Sequence, residues 1–310
     1  MSYDVVIIGE PLLEFSAAQP LTQATTFKLS FSGDALNAAV AAAAAGAKVG
    51  LLTRLGKDEL ADRLVAFLAA HGVDTSLVRR EPGQTGAYVL GADPGGTREF
   101  AYLRAGSAAT RLQPSDVDEA KVAKARAVLL GGIAVALSLS CAATVLHAAQ
   151  TVRAAGGTVV YDPNYRGRLT TPGAAAEFFR TIAPHASVVI PSSPADTESL
   201  FGLTDPAAAA TAARELGAAA AVITCGTDGV LVSADDLTRV PVIPARSIVD
   251  STGAGDSFAG TLTARLALGD DLLTAVRLGA SAASLSLGGQ GGTGYVPTLA
   301  ETRAHLAAFS

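Results

Sequence analysis

Asp250-Ser-Thr-Gly-Ala-Gly-Asp256-Ser-Phe-Ala-Gly260 runs into the apolar stretch Ser257 to Leu268, which reads as a helix. Two glycines at a helix entrance let backbone amides converge where orphan N–H groups and the helix dipole favour an anion. The segment therefore reads as a phosphate cradle. Asp256 stands at its mouth, where a carboxylate can accept a proton from an attacking hydroxyl during phosphoryl transfer. The plainer alternative is that Asp256 only caps the helix and the glycines only turn the chain. Two other nucleotide motifs are excluded: Gly56-Lys57 is followed by Asp, not Ser or Thr, and Gly253-x-Gly255 has no glycine three residues later.

Working outward, short apolar runs alternate with helical segments: Val5 to Ile8, Val49 to Thr53, Val128 to Leu130, Thr158 to Tyr161, Val188 to Ile190, Ala221 to Thr224 and Gly229 to Val232. That alternation implies an α/β fold with a mainly parallel sheet covered on both faces. The alanine-rich helices Asn37 to Ala45 and Ala207 to Ala213 read as buried and tightly packed. Two stretches break the rhythm. Glu14 to Phe31 and Thr85 to Arg104 alternate with period two, as antiparallel strands outside the main sheet would, and Asp93-Pro-Gly-Gly-Thr97 is a hairpin signal. The expected organisation is a core of residues 1–13, 32–84 and 106–310 with a small β lid of residues 14–31 and 85–105.

The chain has 310 residues, 49% of them apolar and 16% charged, which suits a compact enzyme and excludes disorder. A net charge of −5 gives no general positive field for nucleic acid or an anionic membrane. Cys141 and Cys225 are too few for a disulfide framework and read as buried apolar residues. His71, His147, His185 and His305 never fall at i, i+4, so a zinc site is not expected. Met1-Ser-Tyr-Asp leads straight into Val5 to Ile8, which reads as a first strand and not a signal peptide; a cytoplasmic protein is expected. The uncharged run Ala127 to Leu146 contains Gly131-Gly132 and reads as a strand, a glycine turn and a helix, not a membrane span.

Two further constellations offer polar groups. Thr224-Cys-Gly-Thr-Asp-Gly229 joins two expected strands; its amides and hydroxyls suit nucleotide phosphates, or it is an ordinary Asp-Gly turn. In Ser32-Gly-Asp-Ala-Leu-Asn37, Gly33 permits close backbone approach while Asp34 and Asn37 suit sugar hydroxyls, or Asp34 is simply an N-cap.

Together the D-S-T-G-A-G-D-S-F-A-G, G-D-A-L-N and T-C-G-T-D-G segments, in this order and spacing, resemble the PfkB (ribokinase-like) carbohydrate kinases over essentially the whole chain. The resemblance implies a ribokinase-like three-layer α/β/α core of nine-stranded type, with a β lid that often mediates homo-oligomer formation. It implies ATP with Mg2+, and stimulation by a monovalent cation such as K+. By the same resemblance Asp256 is the catalytic base, Gly253, Ala254 and Gly255 form the anion hole, and Thr224, Gly226, Thr227 and Gly229 bind nucleotide with Asn164 and Ser193 nearby. Two departures stand out. The usual glycine pair before Asp34 is Ser32-Gly33, which requires Ser32 to avoid positive φ. The N-x-x-E linked to magnesium is Ser193-Pro-Ala-Asp196, leaving Asp196 as the candidate for an indirect, water-mediated contact.

Within the family, Gly9-Glu-Pro-Leu-Leu-Glu14-Phe, the stretch Arg98 to Ala109 and Asp162-Pro-Asn-Tyr-Arg166 resemble the 2-keto-3-deoxygluconate kinases. An acidic sugar needs cations at its carboxylate, and Arg104 and Arg166 are the candidates. Tyr88 and Tyr102 would add hydroxyl donors from the lid, and Glu14 would meet sugar hydroxyls. The alternatives are an exposed strand end for Arg104, a backbone-bound loop arginine for Arg166, and a neutral sugar or nucleoside such as fructose, ribose or adenosine as substrate.

Overall fold

A computed structural model describes residues 2–91 and 100–309. Fourteen strands are present among them: β1 (Val5–Ile8), β2 (Leu12–Ser16), β3 (Lys28–Ser32), β4 (Val49–Leu55), β5 (Val73–Asp74), β6 (Val78–Arg80), β7 (Ala87–Leu90), β8 (Phe100–Leu103), β9 (Ala127–Gly131), β10 (Thr158–Asp162), β11 (Val188–Val189), β12 (Ala221–Thr224), β13 (Val230–Ser233) and β14 (Leu237–Val240). The large sheet has the order β14-β13-β12-β11-β10-β9-β1-β4-β5, with β6 also pairing β4. Its pairs are parallel from β5 through β12, and the β12–β13 and β13–β14 pairs are antiparallel, so β13 alone runs against the rest.

Branched apolar residues explain the central position of β1. Val5 and Ile7 pack with the helices Asp34–Ala44 and Ala254–Ala267, while Val6 and Ile8 pack with the helices Leu139–Ala154 and Pro172–Ile182. Alternate side chains thus enter two separate cores, and full burial stabilises each by roughly 1.5–3 kcal/mol. Small residues set the helix spacing on the first face. A Cβ added at Gly260 would lie 2.2 Å from the Ala38 carbonyl oxygen, so the Ala254–Ala267 and Asp34–Ala44 helices cross in near backbone contact.

The two alanine-rich helices differ. Asp34–Ala44 buries nearly every residue, whereas Pro206–Glu215 buries only Ala209, Ala210 and Ala213, a single face. Its alanines therefore record helix propensity more than close packing. Cys141 is buried as expected, but Cys225 is only half-buried. Ala127–Gly131 is a strand, and its two-glycine junction leads directly into the short helix Gly132–Leu137.

The small sheet has the order β3-β2-β7-β8. It is not wholly antiparallel: β2 and β7 run parallel, Glu14 standing opposite Tyr88. β2 and β7 both run outward from the core while β3 and β8 run back, so the central pair is parallel; the alternation that reveals a strand does not reveal its partner. The Asp93-Pro-Gly-Gly-Thr97 turn lies outside the described residues.

Candidate active site

A cavity of about 410 Å3 lies where the small sheet overhangs the C-terminal ends of β9 and β10. Ligands of open α/β sheets bind at such strand ends. Three chain segments converge there: the start of the Asp34–Ala44 helix, the loop after β10, and the start of the Ala254–Ala267 helix.

Gly253 caps the last of these helices with φ 79°, and no side chain occupies the capping position. Positive φ favours glycine, and a Cβ here would also lie 2.8 Å from Gly292 Cα. The Ala254 amide donates to the Ser251 carbonyl at 3.3 Å, and no side chain caps the amides that follow it, at Gly255 and Asp256. A Cβ added at Gly255 would meet nothing within 4 Å, so this residue opens onto the cavity. Asp250 braces the turn: its Oδ1 accepts the Thr252 amide at 2.8 Å and its Oδ2 the Gly291 amide at 2.9 Å.

Asp256, on the first turn of the helix, accepts a 2.8 Å hydrogen bond from Asn37 Nδ2. It is therefore not the N-cap. Burial raises its pKa, while the Asn37 bond and the Arg166 charge oppose the rise. Asp34 is likewise not a cap; Gly33 holds that position at φ 105° without a side-chain bond. Burial and the adjacent Asp256 charge push Asp34 up to about 7. Asp162, at the end of β10, is raised well above its usual range by burial and then by Asp196, Asp256 and Asp34. Ser32 avoids positive φ, which among described non-glycine residues occurs only at Asn164 (φ 38°).

The two candidate arginines have different surroundings. Arg104 is buried, its Nε donating to Glu10 Oε2 at 2.7 Å. Arg166 is exposed, donates to the Tyr165 carbonyl at 2.9 Å, and makes no ion pair among the described residues. It is thus both a backbone-bound loop arginine and a wall of the cavity.

Residues 2–299 match the family model described as "pfkB family carbohydrate kinase". The chain belongs to this family. The pfkB kinase is 33% identical to a 2-dehydro-3-deoxygluconokinase of Thermoproteus tenax, with 98% of this chain and 94% of that one covered. A PfkB protein of Polaromonas sp. JS666 superposes with TM-score 0.88 at 31% identity, covering 98% of this chain and all of the other. A putative ribokinase II of E. coli, solved with ATP and Mg2+, has TM-score 0.90 at 24% identity, covering 99% and 100%.

In this pfkB kinase the cavity brings together Gly33, Asp34 and Asn37 with Tyr88, Tyr102, Arg104, Asn164 and Arg166. It also takes in Asp196, Thr224, Gly253, Gly255 and Asp256. Glu14, Ser193, Ala254, Gly226, Thr227 and Gly229 are not among its walls. Glu14 backs Tyr88: it accepts from the Tyr88 hydroxyl and from Ser30 Oγ at 3.0 Å, and faces a separate cavity beside Gly291 to Gly294. Ser193 Oγ donates to the Thr204 carbonyl at 3.2 Å. Gly226 to Asp228 form an exposed turn between β12 and β13, and Gly229 turns the chain at φ 81°.

Asp196 binds protein donors with both oxygens: Oδ1 accepts the Tyr165 amide at 2.7 Å, and Oδ2 accepts Ser192 N at 2.7 Å and Ser192 Oγ at 2.6 Å. Among the described residues, no group of three or more His, Cys, Asp or Glu side chains could hold a metal ion. This donor set suits a magnesium ion carried by nucleotide phosphates and water better than one in a protein cage.

Sequence reasoning missed Asp162, Ser192 and Thr252 as walls, and Glu10 as the partner of Arg104. Asp162 carried a signal, since it opens the same Asp162-Pro-Asn164 stretch as two residues that were found. Glu10 lies in the quoted Gly9 to Phe15 stretch, but nothing local marks its partner, 94 positions away.

Proposed function

We propose that this kinase transfers the γ-phosphoryl group of ATP to a hydroxyl of a small acidic keto-deoxy sugar, 2-keto-3-deoxygluconate. The observation that carries this reading is one cavity in which the Asn37-held Asp256 and a capless helix entrance face Arg104 and Arg166. Its substrate class follows from the arginines, because carboxylates need such donors, and it agrees with the name of the Thermoproteus relative.

Asp256 takes the proton of the attacking hydroxyl, and the Asn37 amide fixes the carboxylate oxygen that bonds to it. Amides at Gly253, Ala254 and Gly255 receive negative charge as the phosphoryl group moves. Gly33 and Asp34 bind sugar hydroxyls. Tyr88 donates its own proton to Glu14, so it is not a hydroxyl donor to the sugar, and its ring lines the cavity with Tyr102 beside it. Arg166, with Arg104, takes the carboxylate. Asn164, Ser193 and Thr224 to Gly229 hold the nucleotide. ATP would supply the phosphoryl group, and a Mg2+ ion accompanying it would supply charge compensation, with Asp196 placed to orient a water toward it. A monovalent cation such as K+ would stimulate the transfer.

The β lid of residues 14–31 and 85–105 excludes water over a core formed by the remaining chain. Phe27, Tyr102 and Leu103 are exposed on it by 43%, 39% and 54%, which supports a homo-oligomer joined through the lid. No helix among the described residues is long and apolar enough to cross a membrane, consistent with a cytoplasmic enzyme.

ADP release from ATP and Mg2+ tests the reading across 2-keto-3-deoxygluconate, its galactonate epimer, fructose, ribose and adenosine. Selective turnover of the keto-deoxy acids supports it. Turnover of a neutral sugar alone would discard the carboxylate pocket and keep Asp256 as the base.

A further inference from the structure

We propose that Glu10 is a positioning residue which fixes the edge of the Arg104 guanidinium presented to the sugar. The inference rests on the reading of Arg104 as a sugar contact. Glu10 lies in the three-residue link between β1 and β2, where core passes into lid, and its side chain has no solvent exposure. Arg104 follows the last residue of β8, at the far edge of the small sheet. One ion pair therefore fastens the outer lid strand to the root of the lid.

The geometry is directional. Glu10 Oε2 accepts from Arg104 Nε at 2.7 Å and stands 2.5 Å from Nη2, while Oε1 accepts from Ser107 Oγ. A Cβ added at Gly86 would lie 2.3 Å from Oε1, so backbone closes the far side of the carboxylate. The glutamate cannot swing away. Its grip on the Nε side leaves the other edge of the planar fork toward the cavity that Arg104 lines. Nε and Nη2 both lie on the Glu10 side, inside the ion pair, so what the fork presents to the cavity is its Nη1 end.

Charge gives the second part of the role. A lone buried guanidinium is costly, and Glu10 neutralises it. The pair then contributes shape and hydrogen bonds to the cavity, while Arg166, which makes no ion pair among the described residues, brings its positive charge to the Asp34, Asp162 and Asp256 carboxylates.

The test is a double-mutant cycle read on the KM of whichever sugar in the substrate panel is turned over, so a different sugar preference leaves it intact. Glu10→Gln keeps the shape and removes the charge that aligns Arg104. We expect the sugar KM to rise about tenfold, with kcat and the KM for ATP moving less than about threefold. Arg104→Ala should raise the same KM, and the double variant should be no worse than Arg104→Ala alone, because Glu10 acts only through that side chain. Two single effects that multiply in the double variant would overturn the inference while leaving Arg104 as a sugar contact. An unchanged sugar KM in Arg104→Ala would overturn the pocket reading and the inference with it. If Glu10→Gln does not fold, Ser107→Ala, which deletes only the hydroxyl on Oε1, takes its place in the cycle, with an expected rise of about threefold.

Discussion

Asn37 Nδ2 and Asp256 Oδ2, 219 positions apart in sequence, meet at 2.8 Å across the crossing of two helices. The bond can form because Gly260 lets the helices approach until only backbone separates them. An amide donor at this distance favours the charged carboxylate and holds it in one orientation.

Asp256→Asn keeps shape and polarity but cannot accept the substrate proton. It should lower kcat about 10²–10⁴-fold while the sugar KM stays within about threefold. Steady-state kinetics with both substrates varied would show this, and an unchanged kcat would remove Asp256 from the role of base.

Asn37→Leu should move the acidic limb of the kcat/KM profile to higher pH. Burial already raises the Asp256 pKa, and the Asn37 bond opposes that rise. Without the bond the carboxylate holds its proton to higher pH, and a protonated base is inactive. A limb that stays in place, or moves down, would contradict this.

Asp34 ties stability to pH. Its folded pKa of about 7 lies above the ordinary 3.8, so between those values the folded chain keeps a proton that the unfolded chain has released. Stability from this group is full at low pH and declines as pH rises toward 7. Asp34→Asn should flatten the dependence, gaining on the parent by on the order of 3 kcal/mol between pH 4 and pH 7.5. Thermal unfolding at the two pH values measures it; parallel curves would show that Asp34 titrates normally.

Gly260→Ala tests the helix crossing. In an open helix this change gains about 1 kcal/mol, but here the new methyl would fall 2.2 Å from the Ala38 oxygen. A net loss of about 1–3 kcal/mol is expected in urea unfolding. Gly173→Ala, where the methyl meets nothing within 4 Å, is the control and should be neutral or mildly stabilising.

Local signals were legible in the sequence. The Gly253 to Asp256 cradle rests on neighbouring residues at a helix start, and the lid strands on period-two alternation; both survive in the structure as helix cap and small sheet. What could not be read was pairing. The β2–β7 parallel register, the Glu10–Arg104 ion pair and the burial of Glu14 behind Tyr88 each join segments some seventy or more residues apart. Arg104 illustrates the cost of that blindness: it lines the cavity, but its charge is met by Glu10. No periodicity marks the residue that cancels it.

The close approach of Gly33 to Glu10 has a further consequence. A Cβ at Gly33 would lie 2.6 Å from the Glu10 carbonyl oxygen, so the hairpin from Leu12 to Ser32 leaves the core after β1 and returns to it, at the start of the Asp34–Ala44 helix, at practically one point. A segment with touching ends is a cassette. Recombination between relatives could replace it without changing the separation of its attachment points, and the nucleotide half of the enzyme would be spared. The graft would have to carry β7 and β8 with it, because Glu14 in one segment accepts from the Tyr88 hydroxyl in the other. Sugar preference in this architecture would then be inherited as a matched pair of segments and not residue by residue.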